Sequence, residues 1–275
     1  MLPNPLAIDF DTRLTAVLYG NFAVSGDQDE SPICCFCGFI AEADDWNSFD
    51  HAWRTSLADS NDGFDALACL RGTDMFQSWD IRRRYDLLED LAGVLVRFPL
   101  APLGAFVVRE HFLGLSSTDR AILAAEGVES PLDLVFYILT ERIIDRVHEE
   151  SEKISLLLDQ EPRSAAERYN ELFNKHLGRY LLGPHLMGTL AFADARDCSQ
   201  LQAAKLLGET VLLMETQKLF PEKAGTAFPV PDALQQMTEQ IHQQGRFDAT
   251  ELHKLTGALK NHSMQSIQSK SEPRG

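Results

Sequence analysis

The chain is short of bases. Its 25 Lys and Arg stand against 41 Asp and Glu, for a net charge of −16. A surface so acidic repels phosphate backbones, which argues against nucleic acid as a tight, general partner. The deficit is uneven: residues 1–60 hold ten acids and two bases, whereas residues 221–275 balance six against six. Cysteine is scarce and odd in number, five in all, with Cys34, Cys35 and Cys37 crowded into one segment. That is not a disulfide framework, and reduced thiols in a cytoplasmic protein are the expectation. The opening residues lack a basic stretch followed by an apolar run, so no signal peptide is expected. No window approaches the ~18 uncharged apolar residues of a membrane span. Gly-x-Ser-x-Gly, the P-loop, the dinucleotide fingerprint and His-Glu-x-x-His are all absent, so none of those chemistries has its signature here.

What is present is ordinary globular composition, 44% hydrophobic and 24% charged, enough for one sizeable core. Leu14–Phe22 reads as a first strand, and 24–32 is turn chemistry. Ile33–Ala41 is the continuous apolar run of a strand buried on both faces. Helical spacing of Trp46, Phe49, Trp53 and Leu57 predicts a helix over Asp44–Leu57, and Phe64–Leu70 is open between a short strand and another structure. Ile81–Phe98, Pro131–Ile154, Ala165–Tyr180 and Ser199–Phe220 read as helices. Leu103–Val108, Ile154–Leu158 and Thr189–Phe192 read as strands. This order begins antiparallel and continues by crossovers, which argues an α/β domain of three layers over residues 1–227. Phe228-Pro-Val-Pro231 reads as a linker to a small helical extension over 228–261, with helices at Asp232–His242 and Asp248–Asn261. Residues 262–275 are polar without periodicity and are expected to be disordered.

Few residues invite chemistry. On a strand Cys35 and Cys37 share one face and Cys34 takes the other, and Cys69 and Cys198 stand alone. Buried small hydrophobes are therefore expected rather than a metal or redox site. Asp27, Asp29 and Glu30 form an acidic loop without the spacing of a calcium loop, so a solvated turn is expected. His51, His148 and His185 have no partner at ligand spacing. Arg82-Arg83-Arg84 at a helix start covers three directions, which suits a solvated or interface face.

Several segments together carry a resemblance. Phe22-Ala-Val-Ser-Gly26 leads into Ser31–Ala41, then Asp45-Trp46-x-x-Phe49-x-x-x-Trp53, Phe64-Asp65, Phe76-x-x-Trp79, Ile154–Gln160 and Leu201-Gln-Ala-Ala-Lys-Leu-Leu207. In this order they resemble the bacterial family called domain of unknown function 3800, a relative of ribonuclease H. The resemblance covers about residues 14–220. It implies a ribonuclease H-like mixed sheet in three layers, flanked by helices, and a catalytic cluster of carboxylates holding one or two divalent metals.

The departures fall on that cluster. Where the family has acids, this chain has Ala23 and Val24. Asp65 stands for a His, Cys69 for the neighbouring Asp, and Lys205 for the Asp of the last helix. Asp159 alone remains at a matching position, with Asp194 as a further acid that the pattern does not place. An alanine offers no ligand and an ammonium repels a cation, so the family's catalysis is not expected. The leading expectation is a catalytically inactive domain, without a cofactor, retained to bind a protein partner; the balanced 232–261 helices are one candidate surface. The alternatives are a hydrolase with a rearranged site of Asp65, Asp159 and Asp194 around Mg²⁺ or Mn²⁺, and a small-molecule or peptide binder using the vacated pocket. Lys205 is expected either to neutralise Asp159 or to form an ordinary surface pair with Glu209 at i,i+4.

Overall fold

Alternation of side chains across two central strands builds two cores at once. β1 (Val17–Ser25) and β2 (Ile33–Glu42) pair antiparallel, with Phe22 opposite Gly38 and Ala23 opposite Cys37. On one face lie Phe22, Val24, Cys34 and Phe36; Cys35, Cys37 and Phe39 lie on the other. The cysteines divide as the strand period requires, Cys34, Cys35, Cys37 and Cys69 are buried, and all five are free thiols. Mutual hydrogen bonding with Cys37 and then burial push the Cys35 thiol well above its ordinary value, as befits a packing residue.

The computed structural model describes residues 17–28, 30–57, 63–150, 153–160, 165–178, 187–223 and 228–271. β3 (Ala101–Val108) extends the antiparallel meander, while β4 (Lys153–Asp159) and β5 (Met187–Ala193) add in parallel on the far side of β1. A two-residue strand β6 (Arg246–Phe247) joins the other edge parallel to β3. The sheet is therefore mixed and six-stranded, ordered β5-β4-β1-β2-β3-β6.

Helices cover both faces. α1 (Ala43–Ser56), α2 (Ala66–Arg71), α3 (Ile81–Leu95), α8 (Ser199–Leu219) and α9 (Asp232–Gly245) pack on one side. α4 (Arg109–Leu113), α5 (Ser117–Ala125), α6 (Pro131–Glu150), α7 (Ala165–Leu177) and α10 (Ala249–Ser271) pack on the other. The α/β class in three layers is thus present. A run of tilted and edge-on aromatic contacts joins α1 to the start of α3, through Phe49–Trp53, Trp53–Phe64, Phe64–Phe76 and Phe76–Trp79, with centroids 5.2–6.2 Å apart. Among the described residues no helix is long and apolar enough to cross a membrane.

The structure differs from the sequence reading in four places. Phe64–Leu70 does not form a strand: the Asp65 carboxylate accepts from the Ala68 amide at 2.8 Å, and Gly72, at φ 69°, closes the helix between them. α4 and α5 fill a stretch that carried no expected element, with Ser116 capping α5 by accepting from the Asp119 amide. The segment after the Pro-rich break is not an appendage. Leu234, Met237 and Ile241 of α9 enter one core, Leu252 and Leu259 of α10 enter the other, and β6 completes the sheet edge. α10 also runs on to Ser271, past the expected end at Asn261 and into the stretch expected to be disordered. Leu14 to Ala16, Asp29, Tyr180 and His185, each part of an expectation above, lie outside the described residues.

Candidate functional site

The parallel strands β1, β4 and β5 end together. Phe22 lies opposite Leu158, and Asp159 lies opposite Ala193. Ala23, Asp159 and Asp194 consequently stand at three adjacent strand ends, where open α/β sheets place their ligands. α8 crosses this edge. It is apolar on nearly every side, with Leu201, Ala203, Ala204, Leu206, Leu207 and Val211 buried, so the polar residues within it are drawn inside as well. Gly208 is required by the close approach to β1: a Cβ there would lie 2.8 Å from the Ser25 hydroxyl.

Lys205 leaves α8 toward the strand end. Its Nζ donates to the Val24 carbonyl at 2.7 Å and lies 3.8 Å from Glu209 Oε1. The acid it pairs with is Glu209, one turn on, rather than the expected Asp159. Nor is this the surface pair of the other expectation, because the Glu209 side chain is only 4% exposed. Burial pushes the Glu209 carboxyl up, and Lys205 and the Ser25 hydroxyl partly offset it.

These two residues floor a cleft of about 1030 Å³. One wall is the β1–β2 turn with Asp27 and Glu30; the opposite wall carries Asp65, Arg71 and Arg84. The turn is held from behind by Arg109, whose guanidinium donates to the carbonyls of Ser31 (2.9 Å), Gly26 (3.1 Å) and Gln28 (2.8 Å). The backbone oxygens of this acidic turn thus face a side-chain cation. Gly26, at φ 72°, makes the reversal possible. Across the cleft, Arg84 donates to the Cys69 and Leu70 carbonyls at 2.8 and 2.9 Å, which satisfies the end of α2. The arginine cluster does spread in three directions: Arg82 pairs with Asp86, Arg83 lies 3.8 Å over the Trp79 ring, and Arg84 turns inward.

The three acids of the rearranged-site expectation have separate employments. Asp65 lines the cleft and caps α2. Asp159 is buried at its strand end. Asp194 is gripped by Arg196, with Nη2 on Oδ2 at 2.6 Å, and that hydrogen bond holds its carboxyl down to about 2. Among the described residues no three His, Cys, Asp or Glu side chains are grouped so as to hold a metal ion. Cys69, at the position of a family acid, is a buried thiol pushed up to about 12 by desolvation.

The sequence reading missed Glu209 as a buried group and Arg109 altogether. Glu209 had a signal: Leu206, Leu212 and Leu213 flank it at three of the four nearest helical offsets, in a segment apolar on most sides. Arg109 had none, because its partners are backbone carbonyls. No protein-family model and no curated protein matches the chain.

Proposed function

We propose that this chain is a ribonuclease H-like domain whose metal site has been replaced by an internal cation, and that it serves as a binding module for a protein partner. The observation that carries the reading is Lys205. Its ammonium lies against the β1 strand end, bonded to Val24 and facing buried Glu209. A divalent ion brought there would meet a fixed positive charge at close range. The donor set supports the same reading, since Asp65 is spent on a helix cap and Asp194 on Arg196. The meander that continues into parallel strands beside β1 agrees with what the resemblance implies. The cleft is the natural seat for a partner segment, with acids on its turn wall and Arg71 and Arg84 beside Asp65 on the other. The 232–261 helices are a poorer candidate, because their apolar residues are committed to the two cores.

Titration calorimetry with Mn²⁺ tests the loss of the metal site. The native chain is expected to show no saturable heat up to millimolar metal, whereas Ala23→Asp/Lys205→Asp should acquire binding that Asp159→Asn removes. Micromolar binding by the native chain, abolished by Asp159→Asn, would overturn the reading in favour of a metal-dependent hydrolase.

A further inference from the structure

Outside the cleft, α8 carries a second polar group. Glu215, its side chain 4% exposed, faces His242 of α9, with Oε1 2.8 Å from Nδ1. The other ring nitrogen, Nε2, lies 3.2 Å from the Nζ of Lys218. Phe106 of β3 stacks on the imidazole at an interplanar angle of 27°. A carboxylate accepts from Nδ1–H, which leaves Nε2 as the lone-pair side to which the Lys218 ammonium donates. Acid, imidazole and amine therefore stand in line, the order in which a carboxylate orients a base against a nucleophile.

Further polar groups gather around this line. The second oxygen of Glu215, the Thr238 hydroxyl and the Gln217 amide nitrogen are buried and have no hydrogen-bond partner among the described residues. Native interiors rarely leave such groups unpaired. An open hollow of about 390 Å³ is lined by these same three residues with Lys218 and His242, and Met214 and Glu239 complete its wall. That space suits a small molecule, and Glu215 and Glu239 disfavour an anion.

We propose that Lys218 is a reactive amine that condenses with a small neutral aldehyde or ketone seated in this hollow. A proton passes from Nζ to His242 Nε2, and the freed lone pair adds to the carbonyl carbon. One remaining N–H proton moves to the oxygen; the proton held by His242 then completes a departing water. Ammonium and carbonyl become a protonated imine and water, with charge conserved and no oxidant or reductant consumed. His242 is the catalytic base and acid. Glu215 is a positioning residue that fixes the tautomer and compensates the transient imidazolium.

The experiment treats the full chain with propanal, traps imines with borohydride, and maps propylated lysines by peptide mass spectrometry. Lys218 is expected to label at least about tenfold faster than exposed Lys260, a conservative share of what general acid–base catalysis supplies. His242→Gln should bring Lys218 to the Lys260 rate. Glu215→Gln should lower the rate constant while the half-saturating propanal concentration stays unchanged, a separation that a packing defect would not produce. Equal labelling of Lys218 and Lys260 in the native chain overturns the proposal without recourse to any variant, and so does undiminished Lys218 labelling in a folded His242→Gln chain.

Discussion

Lys205 Nζ lies 2.7 Å from the carbonyl oxygen of Val24, so a helix side chain closes the strand end where the resemblance would set an acid. The bond ties α8 to the end of β1. It also brings the one cation of that helix segment to Glu209, a carboxylate with almost no solvent of its own.

Lys205→Met should therefore cost about 2–3 kcal/mol, below the 3–5 kcal/mol of a fully buried broken pair because Lys205 keeps some exposure; a surface pair would cost a few tenths. The loss should grow with pH. Burial already raises the Glu209 carboxyl, and without Lys205 it rises further. The folded state then holds a proton that the unfolded state has released, so stability falls as pH climbs through that window. Adding Glu209→Gln should recover part of the loss and flatten the pH dependence. Urea denaturation of the three chains at pH 5.5 and 8 measures both; a pH-independent loss of a few tenths would remove the internal pair from the account.

Asp65 separates a cap from a ligand. Because its carboxylate accepts from the Ala68 amide, Asp65→Asn should be nearly neutral and Asp65→Ala should cost about 1 kcal/mol, since Asn caps a helix as well as Asp does. Thermal denaturation decides it. A residue held for metal chemistry would instead tolerate neither change in a metal-binding assay.

Much of this architecture was legible because it rests on period and punctuation. The apolar run Ile33–Ala41 reads as a doubly buried strand and forms one, and the helical spacing of Trp46, Phe49 and Trp53 marks α1. Phe64–Leu70 was not legible, because a single six-residue helix has too few turns for periodicity and its cap and its Gly72 terminator are read only together. The site was harder still. Lys205 and Glu209 are one turn apart whether buried or exposed, and the decision between those states lies with Gly208 and Ser25, which set how closely α8 approaches β1. The link between Glu215 and His242 joins two helices with no sequence pattern in common.

Arg109 fixes the backbone of the acidic turn, whose Gln28 and Glu30 remain exposed as expected of a solvated turn. Three strong bonds from one guanidinium to backbone carbonyls need its planar fork, and an ammonium cannot reproduce them. Arg109→Lys and Arg109→Ala should both destabilise, by about 1–3 kcal/mol, with Lys rescuing little. Amide hydrogen exchange in residues 26–32 should accelerate selectively. Unchanged protection there would mean that the turn is held by its own backbone.

His176 supplies the clearest acid-side prediction. It is 3% exposed on α7, its ring edge-on to Tyr137 at 4.4 Å and its Nε2 4.0 Å from Glu141. Burial lowers its pKa to about 4, against 6.5 for the free imidazole. Between those values the unfolded chain carries the proton and the folded chain does not, so stability falls as pH drops through 6.5 and the loss is complete below about 4. The full loss is on the order of 3 kcal/mol, from 1.36 kcal/mol per pKa unit. His176→Phe keeps an aromatic ring against Tyr137 and has nothing to titrate. Urea midpoints of both chains between pH 7.5 and 4.5 isolate the effect, because the other acids are common to the pair. The stability difference between variant and native chain should move in the variant's favour as pH falls, and a difference that stays constant would assign the acid sensitivity to the carboxylates instead.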